Sequence, residues 1–177
     1  MFKFFLSLLF LAGMLFAAAA DELKGKVVKV VDGDTLHINI TGGKKKQRLR
    51  FQGIDAPETE QQHGKKSARF LADLLLNKEV TIKTDPKRQY DQYDRMLGKV
   101  YINGKDVELI MLSEGMAWHY KYHNKEKLYA EAEQSARVAK KGLWKDPNPI
   151  QPYEFRKQQK KNSSKKRKNG KIPNSKE

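Results

Sequence analysis

The sequence lacks cysteine altogether and contains only four histidines among its 177 residues. The absence of cysteine excludes a disulfide framework, a thiolate metal site and a cysteine nucleophile. So few histidines also argue against a histidine-rich metal centre. Acidic residues are outnumbered by basic residues, 21 against 36, so the formal net charge is +15. A charge of this sign indicates polyanionic partners, which are nucleic acids or anionic membrane surfaces.

The length of the chain suits one folded domain with an extension at each end. The N-terminal extension is typical of an export signal, with Lys3 as the positive start, an apolar run over residues 4–16, and alanines at residues 18–20 that permit cleavage before Asp21. The alternative is an uncleaved anchor, because residues 4–20 reach the short limit of a membrane span. We therefore predict an exported protein, periplasmic or secreted, whose mature form has no stable association with a membrane.

The C-terminal extension, residues 156–177, contains ten of the 36 basic residues and a single acid, Glu177. It is nearly free of apolar side chains, so it cannot bury enough surface to offset the entropy that is lost on ordering. This composition predicts a disordered basic tail, for which two roles are open. The tail is either a solvated extension or an electrostatic arm that binds phosphates without reading sequence.

The segment between the two extensions, residues 21–155, alternates between strand and helix patterns. Alternating apolar residues and flanking turn residues predict five strands, at residues 23–31, 35–40, 48–54, 79–84 and 96–102. Helical spacing of apolar residues predicts three helices, at residues 64–76, 107–114 and 126–140. This order of elements indicates an α+β domain and is compatible with a five-stranded OB-fold barrel.

Three carboxylates lie where predicted strands begin or end. Asp34 shares the parity of the apolar Leu36, so its side chain is expected at a mouth of the barrel. Asp55 and Glu58 follow the third strand, where Pro57 restricts the backbone, and they could meet Asp34 there. Oxygen ligands without cysteine or histidine suit a hard cation such as Ca²⁺ or Mg²⁺. Taken singly, each segment also has an ordinary explanation as a hairpin turn or a surface loop.

Two arginines have positions from which they could bind phosphate beside these carboxylates. Arg50 has the parity opposite to the apolar residues of its strand, and Arg95 has the parity opposite to its neighbour Met96. Both guanidinium groups can therefore avoid the core and bind phosphate in a bidentate manner. An arginine alone on a strand is most often solvated. Carboxylates, a hard cation and two arginines together nevertheless predict a phosphodiester site.

The motifs that carry these residues resemble those of the staphylococcal nuclease (thermonuclease) family, over about residues 23–146. The similar motifs are Val31-Asp32-Gly33-Asp34-Thr35, Arg-Phe-Gln-Gly-Ile-Asp-Ala-Pro-Glu at residues 50–58, Tyr93-Asp94-Arg95 and Glu114-Gly115-Met116-Ala117-Trp118. The resemblance implies a staphylococcal nuclease-like OB fold and a monomeric enzyme that uses one Ca²⁺ ion to hydrolyse DNA and RNA. Enzymes of this family cleave the 5′ P–O bond and leave 3′-phosphate products.

The same resemblance implies a role for each site residue. The metal ligands would be the carboxylates of Asp34 and Asp55 and the backbone carbonyl of Ala56. The residues that would act on the phosphodiester are Arg50, Glu58 and Arg95. The glutamate would be the general base for the attacking water or would orient it, and the two guanidinium groups would bind the phosphate and its developing charge.

The resemblance is weaker in the part of the site that would bind nucleic acid bases. Tyr93 matches a position that contacts the substrate in the staphylococcal member, whereas Tyr120 and Tyr122 are each one residue out of register. We predict that bases stack on one or more of these tyrosines, and the pattern does not select among them. Two other functions stay open. One is an OB module that binds nucleic acid with little catalysis, and the other is a scaffold whose basic tail binds anionic surfaces.

Overall fold

Three consecutive antiparallel strands form the first part of a barrel in the computed structural model, which describes residues 21–169. β1 (Asp21–Val30) pairs with β2 (Thr35–Ile40), and β2 pairs with β3 (Lys46–Phe51). Successive side chains of a strand point to opposite faces of the sheet, so one face of each strand contributes to the barrel interior. The other face of β3 remains available for polar side chains.

Two later strands close the barrel. β5 (Glu79–Thr84) pairs with β1, and β6 (Met96–Ile102) pairs with β5 and carries a short extension, β7 (Lys105–Asp106). β6 also pairs in parallel with β3, with Leu49 opposite Met96. The five strands therefore form a closed barrel, which confirms the predicted OB-type fold. Closure also removes the free sheet edges that an open sheet would expose.

A second, two-stranded sheet holds the segment that follows β3. β4 (Ile54–Asp55) pairs antiparallel with β8 (Trp118–His119), so that Asp55 lies opposite Trp118. The backbone of Gly53, between β3 and β4, also accepts a hydrogen bond from the Tyr120 N–H at 2.8 Å. This pairing fixes the backbone that carries Asp55 close to the end of β3.

Three helices occur where the sequence predicts them: α1 (Gly64–Leu75), α2 (Val107–Ser113) and α3 (Lys127–Val138). Asp106 caps α2, because its Oδ1 accepts hydrogen bonds from the backbone N–H groups of Glu108 and Leu109 at 2.8 and 3.3 Å. α2 packs against α3 and β6. The helices thus pack against the barrel.

The interior divides into two buried clusters. The larger cluster fills the barrel and includes side chains of α1, α2 and α3. The smaller cluster consists of Trp118, Ala136, Leu143 and Trp144. Its two indole rings meet edge to face with centroids 4.4 Å apart, and the Arg137 guanidinium lies 3.6 Å from the centroid of Trp144. This second cluster supports β8 and therefore the small sheet that carries Asp55.

A fourth helix stands where the sequence predicts the start of a disordered tail. α4 (Pro152–Asn169) includes residues 156–169, so the prediction of disorder is wrong for this stretch. Lysine, arginine and glutamine are strong helix formers, and a proline at the first helical position is preorganised for a helix. Arg156 also forms ion pairs with the domain. Composition alone shows neither the start of the helix nor its attachment.

The other predictions for the two ends of the chain lie outside the described residues. They are the export signal at residues 1–20 and the remainder of the tail at residues 170–177. Within residues 21–169, no helix is both long enough and apolar enough to cross a membrane.

Candidate active site

The turn between β1 and β2 places a buried carboxylate at one mouth of the barrel. Asp34 is only 6% exposed, and its backbone N–H donates to Asp32 Oδ1 at 3.0 Å. Asp34 Oδ2 accepts a hydrogen bond from the Ala56 N–H at 2.6 Å, which ties the turn to the segment after β4. A β-carbon at Gly33 would lie 2.6 Å from that of Ala56, so this close approach requires glycine.

Arg50 links the carboxylates of the turn and of β4. Its Nη1 lies 2.9 Å from Asp34 Oδ2, and its Nη2 lies 3.0 Å from Asp55 Oδ1. Nη1 also donates to the backbone carbonyl oxygens of Phe51 and Ile54, at 3.1 and 3.0 Å. As the strand parity predicts, the guanidinium points away from the apolar core. It is nevertheless enclosed by protein, because the Arg50 side chain is only 13% exposed.

The surroundings of Asp34 favour a further positive charge. Burial raises the pKa of its carboxyl to about 8, although the neighbouring Arg50 guanidinium acts in the opposite direction. Repulsion from Asp32 and Asp55 raises this pKa further. Arg50 therefore does not fully compensate the burial of Asp34, and a second cation would stabilise the charged form of Asp34.

Helix α4 brings a second arginine to the same cluster. Arg156 Nη2 lies 3.0 Å from Asp55 Oδ2, and its Nη1 lies 3.2 Å from Asp55 Oδ1 and 2.7 Å from Glu58 Oε1. Sequence reasoning missed this contact. Arg156 is 101 residues from Asp55 along the chain, and no motif surrounds it. The structure thus brings Asp34, Asp55 and Glu58 together as predicted, and joins them through two arginines rather than one.

A buried glutamate positions the loop between β3 and β4. Glu108 of α2 is fully buried, and its Oε1 accepts hydrogen bonds from the N–H groups of Gln52 and Gly53 at 2.8 and 3.2 Å. A β-carbon at Gly53 would lie 2.5 Å from Glu108 Oε2, so the carboxylate fits because this residue is glycine. Burial raises the pKa of Glu108 to about 7. Glu108 is a positioning residue for the Arg50–Asp55 segment, and the helical pattern of α2 does not reveal it.

Arg95 lies in the same cleft but is held by a different acid. Its Nε and Nη2 each lie 2.7 Å from Asp91 Oδ2, and its backbone N–H donates to Asp91 Oδ1 at 3.0 Å. Its Cζ lies 5.5 Å from the centroid of the Tyr93 ring. Because Arg95 and Arg50 line one cleft, a ligand bound there can meet both guanidinium groups.

The structure places two of the three candidate tyrosines in this cleft. Tyr93 and Tyr120 line it and are 67% and 37% exposed. Tyr122 is 80% exposed, does not line the cleft, and packs edge-on against the ring of His123. Their positions make Tyr93 and Tyr120 the better candidates for contact with a ligand in the cleft.

The cleft is large and has two polar sides. Its volume is about 1950 Å³, well above the roughly 300–1,000 Å³ of most small-molecule sites. The carboxylate cluster lies between residues of β3 on one side and residues of α4 on the other. Sequence reasoning missed three lining residues that belong to no motif: Arg88, Tyr90 and Tyr153. The cleft is also lined by lysines of the basic tail, for which the sequence leaves phosphate binding as one of two roles: Lys157, Lys160, Lys161 and Lys165.

The oxygen donors at the barrel mouth fit a hard cation that keeps other ligands. Within residues 22–165, no group of three or more His, Cys, Asp or Glu is arranged so that it could hold a metal ion. Asp34 and Asp55 provide a pair of carboxylates on either side of Arg50. Such a pair suits Ca²⁺ or Mg²⁺ when water, carbonyl or phosphate oxygens complete the coordination. The uncompensated burial of Asp34 supports the same fit.

An OB barrel with arginines and carboxylates at one mouth, beside a long basic cleft, belongs to the class of proteins that bind phosphodiesters. Residues 48–146 match the family model described as staphylococcal nuclease homologue. The chain belongs to the staphylococcal nuclease family, which confirms the resemblance that the motifs predict.

Individual relatives agree with this assignment. An uncharacterized endonuclease of Haemophilus influenzae is 39% identical over 154 residues, which cover 87% of this chain and 84% of the relative. An uncharacterized endonuclease of Escherichia coli O157:H7 is 38% identical over 136 residues, which cover 76% and 86%. A micrococcal nuclease of Shigella flexneri is 36% identical over 147 residues, which cover 76% and 81%. Membership of this family supports nuclease activity.

Proposed function

We propose that this chain is an exported nuclease that uses one Ca²⁺ ion to hydrolyse phosphodiester bonds of DNA and RNA and leaves 3′-phosphate ends. The proposal rests on the convergence of three carboxylates in a large basic cleft: Asp34 and Asp55 pair with Arg50, and Glu58 is joined to Asp55 through Arg156. A polynucleotide is a phosphodiester of suitable size for that cleft. The names of the relatives, endonuclease and micrococcal nuclease, support the same reaction.

Three groups would hold the cation in this proposal: the carboxylates of Asp34 and Asp55 and the backbone carbonyl of Ala56. When bound, a divalent ion supplies neutralisation of the phosphate charge and orientation or activation of a water molecule. Ca²⁺ is proposed because the donors are oxygens and the family resemblance implies it.

Glu58 is the residue with the position to act on the attacking water. Its side chain lines the cleft and is 34% exposed, so water can reach it. Glu58 accepts one proton as the water oxygen forms a bond to phosphorus. The bond from phosphorus to the 5′ oxygen breaks, and solvent protonates that oxygen. The products are a 3′-phosphate and a 5′-hydroxyl.

Arg50 and Arg95 would stabilise the charge that develops on the phosphate. Asp34 and Asp55 hold the first guanidinium, and Asp91 holds the second, so both are oriented before a substrate arrives. Oriented electrostatic donors of this kind are typically worth roughly 10²–10³ in rate each. Tyr93 and Tyr120 offer exposed rings on which bases could stack.

The experiment that tests these roles compares Glu58→Gln with Glu60→Gln in the chain of residues 21–177. Glu60 lies two residues away, is exposed and does not line the cleft, so it is a matched control. We expect Glu58→Gln to lower turnover of single-stranded DNA by about 10²–10⁴, with the domain still folded and only a small loss of stability from the broken Arg156 ion pair. Near-normal turnover of folded Glu58→Gln would contradict the assignment.

One observation favours a second candidate function, a module that binds nucleic acid with little catalysis. Arg156 occupies the carboxylates of Asp55 and Glu58, which the nuclease proposal needs for the cation and the water. If the wild-type chain binds DNA tightly and cleaves none of it with Ca²⁺, Mg²⁺ or Mn²⁺, this second function replaces the first.

Export and a monomeric state also belong to the proposal. Export is supported by the charge, apolar run and alanines of residues 1–20. Fractionation of cells that express the full chain tests it, since a protein retained in the cytoplasm at full length would contradict export. A monomer by size-exclusion chromatography with light scattering is the expected state of the mature chain.

A further inference from the structure

Helix α4 presents two adjacent rows of basic side chains to the cleft. Lys157, Lys161 and Lys165 are spaced four residues apart, and Arg156 and Lys160 form a parallel row. Residues with this spacing share one side of a helix, because four residues make slightly more than one turn. All five side chains line the cleft that also contains the carboxylate cluster.

The lysines of these rows form no ion pairs with the part of the chain that the structure describes. Among the ion pairs formed within residues 22–165, none includes Lys157, Lys160, Lys161 or Lys165, and all four are exposed. Only Arg156 is paired, with Asp55 and Glu58. Like charges four residues apart on a helix repel each other. Their concentration on the cleft side of α4 is therefore a local source of positive potential.

Other residues of the cleft add further cationic and aromatic side chains. Arg48, Arg88 and Arg95 line it together with Tyr93. Tyr153, at the start of α4, lines it as well and is 62% exposed. A groove in which cationic side chains alternate with exposed aromatic rings is the usual arrangement for binding single-stranded nucleic acid.

We propose that the basic side of α4 binds the phosphates of a single-stranded nucleic acid next to the bond that is cleaved. Lys157, Lys160, Lys161 and Lys165 neutralise backbone phosphates, and Arg156 lies at the end of the rows nearest the carboxylates. The distance from Arg156 to Lys165 along the helix is about 14 Å at 1.5 Å per residue, which is long enough for several phosphates. The inference rests on the proposed nuclease function, because it assigns this surface to the same substrate.

The test compares two variants of the chain of residues 21–177 that each remove four positive charges. The first is Lys157→Gln/Lys160→Gln/Lys161→Gln/Lys165→Gln, in which glutamine preserves helix propensity. The matched control replaces four exposed lysines that do not line the cleft: Lys24, Lys65, Lys66 and Lys105. Affinity for a labelled single-stranded oligonucleotide is measured in excess EGTA. Because EGTA removes the Ca²⁺ that the proposed cleavage requires, binding is measured without cleavage.

We expect the cleft variant to bind at least about tenfold more weakly than the control and its salt slope to fall by about 2–3, since each phosphate contact contributes about 0.7 on a single strand. Cleavage of long single strands should be slower in the cleft variant than in the control. Equal affinities and equal slopes in the two variants would overturn the proposal.

Two controls keep the interpretation separate from folding and from the nuclease proposal. Equal melting temperatures and helical circular dichroism in the two variants show that α4 persists. If the wild-type chain binds the oligonucleotide but does not cleave it, the nuclease proposal is refuted. The proposal for α4 is then still tested by the binding affinities of the two variants. If the cleft variant loses binding to phosphatidylglycerol vesicles but keeps oligonucleotide affinity, the partner is an anionic membrane and the proposal is wrong.

Discussion

Replacing Arg156 with glutamine should strengthen the binding of Ca²⁺ to the chain. In the structure, the Arg156 guanidinium pairs with Asp55 and Glu58, with contacts of 2.7–3.2 Å, and Asp55 also pairs with Arg50. A cation that uses Asp55 must therefore compete with this guanidinium. Glutamine keeps a similar length and helix propensity but removes the charge. In the Arg156→Gln variant, a cation would therefore bind Asp55 and Glu58 without competition from this guanidinium.

The size of the effect follows from the geometry and exposure of the ion pair. Charge-assisted hydrogen bonds contribute roughly 1.5–3 kcal/mol when they are buried, and exposed pairs contribute about 0.2–1 kcal/mol. The Asp55 side chain is 9% exposed and the Arg156 side chain is 42% exposed, so solvent weakens this pair. We therefore expect about 1–2 kcal/mol, which corresponds to a change of about 5–30-fold in an equilibrium constant.

The assay is isothermal titration of Ca²⁺ into the chain of residues 21–177 without nucleic acid. Lys157→Gln is the matched control, because it removes one charge from the neighbouring position, where no ion pair with a carboxylate of the site is formed within residues 22–165. Arg156→Gln should bind Ca²⁺ about 5–30-fold more tightly than wild type, and Lys157→Gln should differ far less. Equal Ca²⁺ affinities of the two variants would refute the competition.

Two further predictions concern stability. Burial raises the pKa of Glu108 to about 7 from 4.5. Between these two pH values, the folded state keeps a proton on Glu108 that the unfolded state releases. The free energy of unfolding should therefore fall as pH rises across this interval, by at most about 1.4 kcal/mol per pH unit. Urea unfolding should show that this pH dependence is lost in Glu108→Gln. If the difference in free energy of unfolding between wild type and Glu108→Gln stays constant with pH, the prediction is contradicted. A β-carbon at Gly142 would lie 2.1 Å from the Gly115 carbonyl oxygen, whereas one at Gly104 would meet nothing within 4 Å, and both have positive φ. In thermal unfolding, Gly142→Ala should therefore cost about 2–3 kcal/mol and Gly104→Ala about 1 kcal/mol, and equal losses would show that the close contact is unimportant.

The strands of the barrel could be predicted from the sequence because apolar and polar residues alternate along them. Leu36 and Ile38 on β2, and Leu49 and Phe51 on β3, alternate with polar residues, and all four are buried. The pairing of β3 with β6 has no such signal, since it joins segments that are far apart in the chain. Period therefore predicts strands and their inward faces, whereas closure depends on tertiary packing.

Some residues of the candidate site could be predicted from local sequence signals, and others could not. Asp34, Asp55 and Glu58 adjoin strand ends within recognisable motifs, and the structure brings them together. Glu108 and Arg156 contact the same region from helices whose local sequence reports only helix formation or basic composition. Their contribution arises from contacts over 56 and 101 residues of sequence separation, and a single sequence contains no record of such contacts.

The disorder predicted from residue 156 shows the limit of composition as a criterion. A segment rich in lysine and arginine has too few apolar residues to form a core of its own. α4 does not need one, because Arg156 attaches it to carboxylates that already belong to the domain. Ion pairs with residues that are distant in sequence thus help to hold α4 against the domain, although its composition alone predicts a solvated segment.

The most direct test of the nuclease proposal is digestion of plasmid DNA by the purified chain of residues 21–177, first with Ca²⁺ and then with excess EGTA. The proposal predicts cleavage that requires Ca²⁺ and yields fragments with 3′-phosphate and 5′-hydroxyl ends. Binding without cleavage in Ca²⁺, Mg²⁺ and Mn²⁺ would contradict it, as would cleavage that EGTA does not affect.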